Sequence, residues 1–296
     1  MMQPQILVTI PAYNEEKTIG KVIGKIKEVM QSHRYNYKIL VVDDGSEDGT
    51  ASISAKAGAL VHSHPKNYGL AETFKTETEL AVKMGFPIIV HFDADGQYLA
   101  KDIPKLIEKF QEGYDLVLGS RFKGKIESMP WLKKKGNKAF SKVISNICGL
   151  PISDAQTGFR VFSKEVAEKI RITASYTYTQ EQIIRAVKAK FRIVEVPVFF
   201  AKRNGKSRLM KNPIDFAVKA GVNLLRIYRD YEPLRFFGWT GGTIFLLGAI
   251  IGATLLYFFI TTGTILGRIP TAIVSMMLIL VGLQLIQFGF LADMKK

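Results

Sequence analysis

Cysteine is almost missing from this chain: Cys148 is the only one among 296 residues. One thiol cannot build an internal disulfide framework, and its solitude fits a reducing compartment. Acidic residues are scarce beside basic ones, 26 against 41, which leaves a formal net charge of +15. That balance suits anionic partners: nucleic acid, an anionic membrane surface or phosphorylated substrates. A signal-peptide pattern is missing too, since the N-terminus leads almost directly into strand-like Ile6-Leu7-Val8-Thr9-Ile10. No internal repeat or low-complexity segment is present. The sharpest absence is local. Between Phe236 and Ala292 the only charged residue is Arg268, whereas the chain before it carries charge throughout.

That uncharged region predicts two spans, residues 236–260 and 269–292, each long enough to cross a bilayer as a helix. A short turn around 261–268 joins them. Arg226, Arg229 and Arg235 flank one side, and Lys295 and Lys296 return near it. Positive residues favour the cytoplasm, so both termini are expected in the cytosol and the hairpin tip outside. The competing reading is a helical hairpin buried in a soluble core. The spans carry no carboxylate, histidine or lysine for chemistry and read as an anchor. Residues 211–235 predict an amphipathic basic helix at the interface. With a membrane present, the positive charge is better matched to lipid and phosphorylated substrates than to nucleic acid.

The rest of the chain alternates strand and helix. Apolar runs at 6–10, 38–42, 59–62, 88–92 and 115–119 are separated by segments with helical periodicity, among them Ile19, Val22, Ile23, Ile26, Val29 and Met30. Such alternation predicts a mostly parallel, doubly wound α/β sheet. The organising stretch is Ile88-Ile89-Val90-His91-Phe92-Asp93-Ala94-Asp95-Gly96-Gln97. Ligands of open α/β sheets bind beyond the carboxyl ends of the strands, and Asp93 and Asp95 stand there. Side chains two apart on extended backbone share a side, so both carboxylates can converge on one target. Hard oxygen ligands of this kind suit Mg²⁺ or Mn²⁺, which usually arrive with phosphates. An ordinary solvated turn is the plainer alternative for the triplet alone.

Three motifs then coincide: P-A-Y-N-E-E at 11–16, V-V-D-D-G-S-E-D-G-T at 41–50, and D-A-D-G-Q at 93–97. Together they resemble the nucleotide-sugar half of family 2 glycosyltransferases, which have the GT-A fold. The resemblance implies that Pro11, Tyr13, Glu15 and one or both of Asp43 and Asp44 hold base and ribose. It places Asp93 near ribose and diphosphate, Asp95 on the metal, and Gln97 within the donor site. Further on come D-A-Q-T-G-F-R at 154–160, T-Q-E at 179–181, V-E-V-P at 194–197 and R-N-G-K-S-R at 203–208. This series is similar to the dolichyl- and polyprenyl-phosphate sugar synthases, and the similarity runs from Ile6 to about Met294.

By that similarity the stretch after Trp131 meets a lipid phosphate. Lys134 and Lys135 stand where the family often has arginine, and Ser141 matches its serine. Lysine neutralises a phosphate without arginine's bidentate geometry. The segment from about 129 to 148 has lysines on one side and Trp131, Phe140, Val143, Ile144 and Ile147 on the other. It predicts a helix on a membrane surface, with a basic helix packed on the domain as the alternative. Arg203 is expected at the donor phosphates, and Arg121 and Arg208 at the lipid phosphate. Asp154 and Glu181 are candidate orienting or assisting groups, or else hold nearby arginines. Gln182-Ile183-Ile184-Arg185-Ala186 lacks the tryptophan of the Q-x-x-R-W motif in processive synthases and reads as ordinary helix.

The expected protein is therefore a membrane-anchored, inverting glycosyltransferase with a cytosolic domain over 1–210. Its donor would be GDP-mannose, a UDP-hexose or UDP-GlcNAc, and its acceptor a dolichyl or polyprenyl phosphate. A processive polysaccharide synthase and a non-catalytic, membrane-tethered nucleotide-sugar sensor are the rivals.

Overall fold

The computed structural model describes residues 5–173, 178–202, 221–222 and 225–294. The chain divides near residue 217 into two compact units.

The first unit is built on seven strands: β1 (Ile6–Ala12), β2 (Tyr37–Asp43), β3 (Leu60–Ser63), β4 (Ile88–His91), β5 (Leu116–Ser120), β6 (Arg160–Ser163) and β7 (Ile193–Pro197). They lie in the order β3-β2-β1-β4-β6-β5-β7. All neighbours are parallel except at β6, which runs antiparallel to both β4 and β5. Register fixes where the motifs emerge. Ala12 pairs with Asp43 at the ends of β1 and β2, and Thr9 pairs with His91 at the end of β4. The three motif loops consequently leave the sheet at one edge.

The side-chain period of two gives β1 a buried face on each side. Ile6, Val8 and Ile10 join one core with Ile19, Val22, Ile23, Ile26 and Met30 of α1 (Ile19–Ser32). Ile103, Leu106 and Ile107 of α4 (Ile103–Gln111) extend it. Each such side chain, fully buried, contributes roughly 1.5–3 kcal/mol. The opposite face packs on α3 (Leu70–Lys83), where Phe74 meets His91 and Phe162. Helices on both faces make the sheet doubly wound, as expected, and the architecture is of GT-A type. α2 (Thr50–Lys56) and α6 (Lys164–Lys169) complete this part. α7 (Tyr178–Lys188) contains Gln182–Ala186 as ordinary helix.

Arg160 of the D-A-Q-T-G-F-R motif opens β6, whose reversed direction the sequence pattern did not show. One expectation needs correction. The segment after Met129 forms α5 (Trp131–Cys148), but its apolar side is not free for lipid. Phe140 and Ile144 are buried in the unit, together with Asn137 and Ser141. Trp131 alone of its large side chains is open, at 66% exposure, with the Lys135 ammonium 4.2 Å from its ring centre.

Among the described residues the second unit has two long helices, Pro233–Thr262 and Ile269–Asp293, joined by a turn in which Gly263 takes φ +73°. Their lengths, about 45 and 38 Å at 1.5 Å per residue, cover the expected spans. Gly241, Gly248 and Leu255 line the inner side of the first, and Ser275, Gly282 and Gly289 that of the second. Seven-residue spacing on both is the seam of a left-handed coiled coil. The backbones touch there. A Cβ on Gly241 would sit 2.7 Å from the Gly282 carbonyl oxygen, and Ser275 Oγ donates to the Gly248 carbonyl at 2.8 Å. Both helices are long and apolar enough to cross a membrane and leave most of their residues exposed, which fits a membrane protein.

Candidate active site

The loops after β1 and β2 are stitched together, residue by residue. Asn14 takes φ +53°, which brings its backbone N–H to Ser46 Oγ (2.8 Å) and its side-chain oxygen to the N–H of Glu47 (2.9 Å). Glu15 N–H donates to Thr50 Oγ1 at 2.8 Å, and Glu16 accepts from Gly49 N–H at 3.1 Å. Gly45 at φ +71° allows the turn, since a Cβ there would lie 2.4 Å from the Lys66 backbone carbon. Asn14, Ser46 and Thr50 were not singled out from the sequence, although Asn, Asp and Ser at turns are the usual signal for such bonds.

This stitching divides the two aspartates. Asp44 is consumed by the 64–69 loop: its carboxylate accepts from Tyr68 N–H (2.9 Å), Gly69 N–H (2.8 Å) and His64 Nδ1 (2.8 Å). It ties that loop to the end of β2. Asp43 holds Ser46 N–H at 3.2 Å through one oxygen. Tyr13 lies at the rim, 36% exposed, while Pro11 is buried within β1. Glu15 accepts the Thr18 hydroxyl at 2.9 Å.

Asp93 and Asp95 follow β4. Burial, then the Asp95 charge, pushes the Asp93 carboxyl up to about 6, partly offset by His91 and Arg121. The backbone of Gly158, from the loop before β6, closes over it: a Cβ there would be 2.5 Å from Asp93 Oδ1. Asp95 Oδ1 accepts from Gln97 N–H at 3.0 Å, and the residue faces a cavity of about 140 Å³ shared with Lys21, Lys25 and Lys202. Gln97 itself is tied away, its amide donating to the Ala201 carbonyl at 3.2 Å. Among the described residues no three acidic, histidine or cysteine side chains gather as a metal set. Asp93 and Asp95 are two carboxylates at this strand end. That number fits an ion which takes its remaining ligands from phosphates and water.

The other expected groups have partners within the first unit. Asp154, fully buried, grips Arg121 through Nε and a terminal nitrogen (both 2.7 Å) and through the backbone N–H (2.9 Å). Arg121 thus faces a carboxylate within the domain. Glu181 holds Thr173 and, at 2.7 Å, Arg185 Nε. For both acids the alternative role, keeping an arginine in place, is the one the contacts describe. Ser141 donates to the Asn137 carbonyl and accepts from Ala155 N–H at 3.0 Å, so its hydroxyl is engaged inside the unit. Lys134 and Lys135 are exposed on the first turns of α5. Arg203 and Arg208 lie outside the described residues.

A buried polar layer beneath the carboxylates escaped notice in the sequence. His91 Nδ1 meets Glu77 at 2.7 Å, Thr9 Oγ1 donates to the same oxygen at 3.1 Å, and His91 Nε2 lies 3.3 Å from the Tyr178 hydroxyl. Arg160, wholly buried, donates to the carbonyls of Thr157 and Thr179 and to Gln182. Burial lowers it to about 10. It fastens the Gly158 loop to the start of α7. The available signals were weak: one glutamate on the inward face of an amphipathic helix, and one arginine opening an apolar run.

Comparison with known proteins agrees with this geometry. Residues 7–171 match the glycosyl transferase family 2 domain, and the chain belongs to that family. It is accordingly a glycosyltransferase. A dolichyl-phosphate hexose transferase of Haloferax volcanii is 30% identical over 224 residues, covering 75% of this chain and 93% of the relative. A UDP-N-acetylglucosamine–dolichyl-phosphate N-acetylglucosaminyltransferase of Methanococcus voltae is 33% identical over 222 residues, covering 67% and 86%. Among solved structures, glucosyl-3-phosphoglycerate synthase from Mycobacterium tuberculosis, with Mn²⁺, UDP and product, superposes with a TM-score of 0.60. At 18% identity, over 76% of this chain and 79% of that one, the likeness concerns the fold.

Proposed function

We propose that this glycosyltransferase moves one sugar, with inversion, from a nucleotide-sugar to a dolichyl or polyprenyl phosphate. The observation that carries the reading is the Asp93–Asp95 pair at the carboxyl end of β4, with Gly158 closed over Asp93. Two hard carboxylates at that place suit Mg²⁺ or Mn²⁺ shared with a diphosphate, and the Mn²⁺ and UDP of the structural neighbour support such an ion. A bound ion would supply Lewis-acid stabilisation of the charge that grows on the diphosphate. The protein's residues do the rest. Asp93 and Asp95 fix the pyrophosphate end, and Asp43 and Tyr13 hold ribose and base at the rim. Lys21, Lys25 and Lys202 add positive charge beside Asp95. Arg203 serves the donor phosphates, and Lys134, Lys135 and Arg208 the lipid phosphate.

The acceptor needs no strong base, because a phosphate monoester with a second pKa of about 6 is already an oxyanion near neutrality. That removes any demand for Asp154 or Glu181 to take a proton. The names of the relatives support this acceptor class. The two apolar helices support a multi-pass enzyme of the cell membrane, with a catalytic domain over 1–210, an interface helix over 211–235 and spans within 236–292. Both termini then lie in the cytosol. The test is purified full-length protein with a polyprenyl phosphate and a panel of GDP- and UDP-sugars, with and without chelator. One donor should be consumed, one sugar should appear on the lipid, and chelation should stop it. Binding of a donor without turnover would reveal a sensor, and a lengthening polymer a processive synthase.

A further inference from the structure

We infer that the outer groove of the helical hairpin binds the chain of the polyprenyl phosphate acceptor, with its phosphate at the depth of Arg235. The inference rests on the acceptor class proposed above and adds a place where this acceptor is held. Of the five glycines in the first helix, four form two contrasting pairs. Gly241 and Gly248 are required by the seam, where a Cβ would come within 2.7–2.9 Å of the second helix. Gly238 and Gly242 are not: a Cβ on either would meet nothing within 4 Å. One turn apart, they leave a strip of the first helix without side chains. They form the floor of an open groove of about 560 Å³, with Trp239 on one side and Ile286 and Phe290 of the second helix on the other.

Chemistry along the groove is graded. Arg235 is its only charged residue and lies at one end, 65% exposed and 3.6 Å from Glu232. One turn on, Trp239 is 76% exposed, as suits a ring at headgroup depth. Beyond it come Gly242, Leu246 and Ile286, and Thr243, whose hydroxyl is spent on the Trp239 carbonyl at 2.8 Å. An occupant with an anion at one end and a hydrocarbon chain behind it matches this order. A second copy of the hairpin matches it less well. A parallel two-fold pair meeting at Gly238 and Gly242 would bring two Arg235 side chains to the same depth and against each other. Acceptor held here is concentrated beside the enzyme instead of being drawn from the whole bilayer.

The chain has two tryptophans, so Trp131→Phe leaves Trp239 as the sole reporter in full-length protein. Titrating that protein in nanodiscs with a long-chain polyprenyl monophosphate should give a saturable change in Trp239 emission. Gly238→Leu with Gly242→Leu should weaken the midpoint at least tenfold. Arg235→Gln should weaken the monophosphate but not the uncharged polyprenol. In turnover assays the double leucine variant should raise KM for the long-chain acceptor at least tenfold, and move KM for a short, water-soluble prenyl phosphate far less. If leucine disrupts the hairpin, the paired alanine variant should give a smaller shift in the same direction. An equal response to phosphatidylglycerol would overturn the inference in favour of a bilayer-lipid site. A titration untouched by the variants, or one in which only the oligomeric state changes, would also overturn it. Should the wild type transfer sugar to no prenyl phosphate, the proposed function fails, while the emission titration still decides the groove.

Discussion

Gly158 and Asp93 lie in such close contact that no side chain can stand between them: a Cβ at 158 would be 2.5 Å from one carboxylate oxygen and 2.7 Å from the other. Gly158→Ala must therefore displace the carboxylate or the loop. The expected outcome is a fall in turnover of at least tenfold, with folding retained. Steady-state kinetics beside a thermal melt checks it, and a fully active alanine variant would show that Asp93 does not need its present position.

Asp93 should cost the free protein stability at neutral pH. Its carboxyl is raised from 3.8 to about 6, so the folded state binds more protons than the unfolded state between those values. Stability from this group is fully present below about pH 4 and is lost as pH rises through 6. Asp93→Asn removes that loss. In chelator, the variant should be more stable than wild type by on the order of 1–3 kcal/mol at pH 7 and by little at pH 4, while nearly inactive. Denaturant titrations at both pH values decide it. Equal stabilisation at both would point to packing instead of charge.

Asp95→Ala should lose several kcal/mol of transition-state stabilisation, on the order of a thousandfold in kcat. Raising Mg²⁺ or Mn²⁺ should restore little. A variant that turns over normally in chelator would end the metal assignment.

Asp154→Ala separates a structural role from a chemical one. It leaves the Arg121 guanidinium buried without its partner, which typically costs about 3–5 kcal/mol. The melting temperature should drop, and activity should follow the folded fraction. Loss of turnover with an unchanged melt would instead make Asp154 a participant in the reaction.

The sheet was legible because alternation and strand length depend on local pattern. The places of Asp93 and Asp95 were legible because a strand end is also local. What a polar side chain faces was not. Asp43 and Asp44 are adjacent and chemically identical, yet Asp44 is taken up by a loop twenty residues on. The bonds of Asp154, Glu181 and Ser141 were not legible either, since their partners come from elements far away in sequence or from the helix itself. The amphipathic pattern of α5 showed an apolar side without showing what covers it. Phe140 and Ile144 turn out to face the domain. Glu77, His91 and Arg160 went unnoticed because a buried polar layer has no periodic signature of its own.

The strand that reverses direction governs how the molecule can assemble. β5 is made before either of its neighbours, since it pairs only with β6 and β7. As the chain is synthesised, β1 to β4 can join at once, but β4 keeps one unpaired edge and β5 waits through some forty residues, α5 among them. Open edges of this kind invite pairing with other chains. Insertion of β6 closes both gaps together and, in the same movement, brings Gly158 onto Asp93. A chain stopped before residue 160 would therefore lack more than a strand: it would carry Asp93 and Asp95 on an unfinished, adhesive sheet.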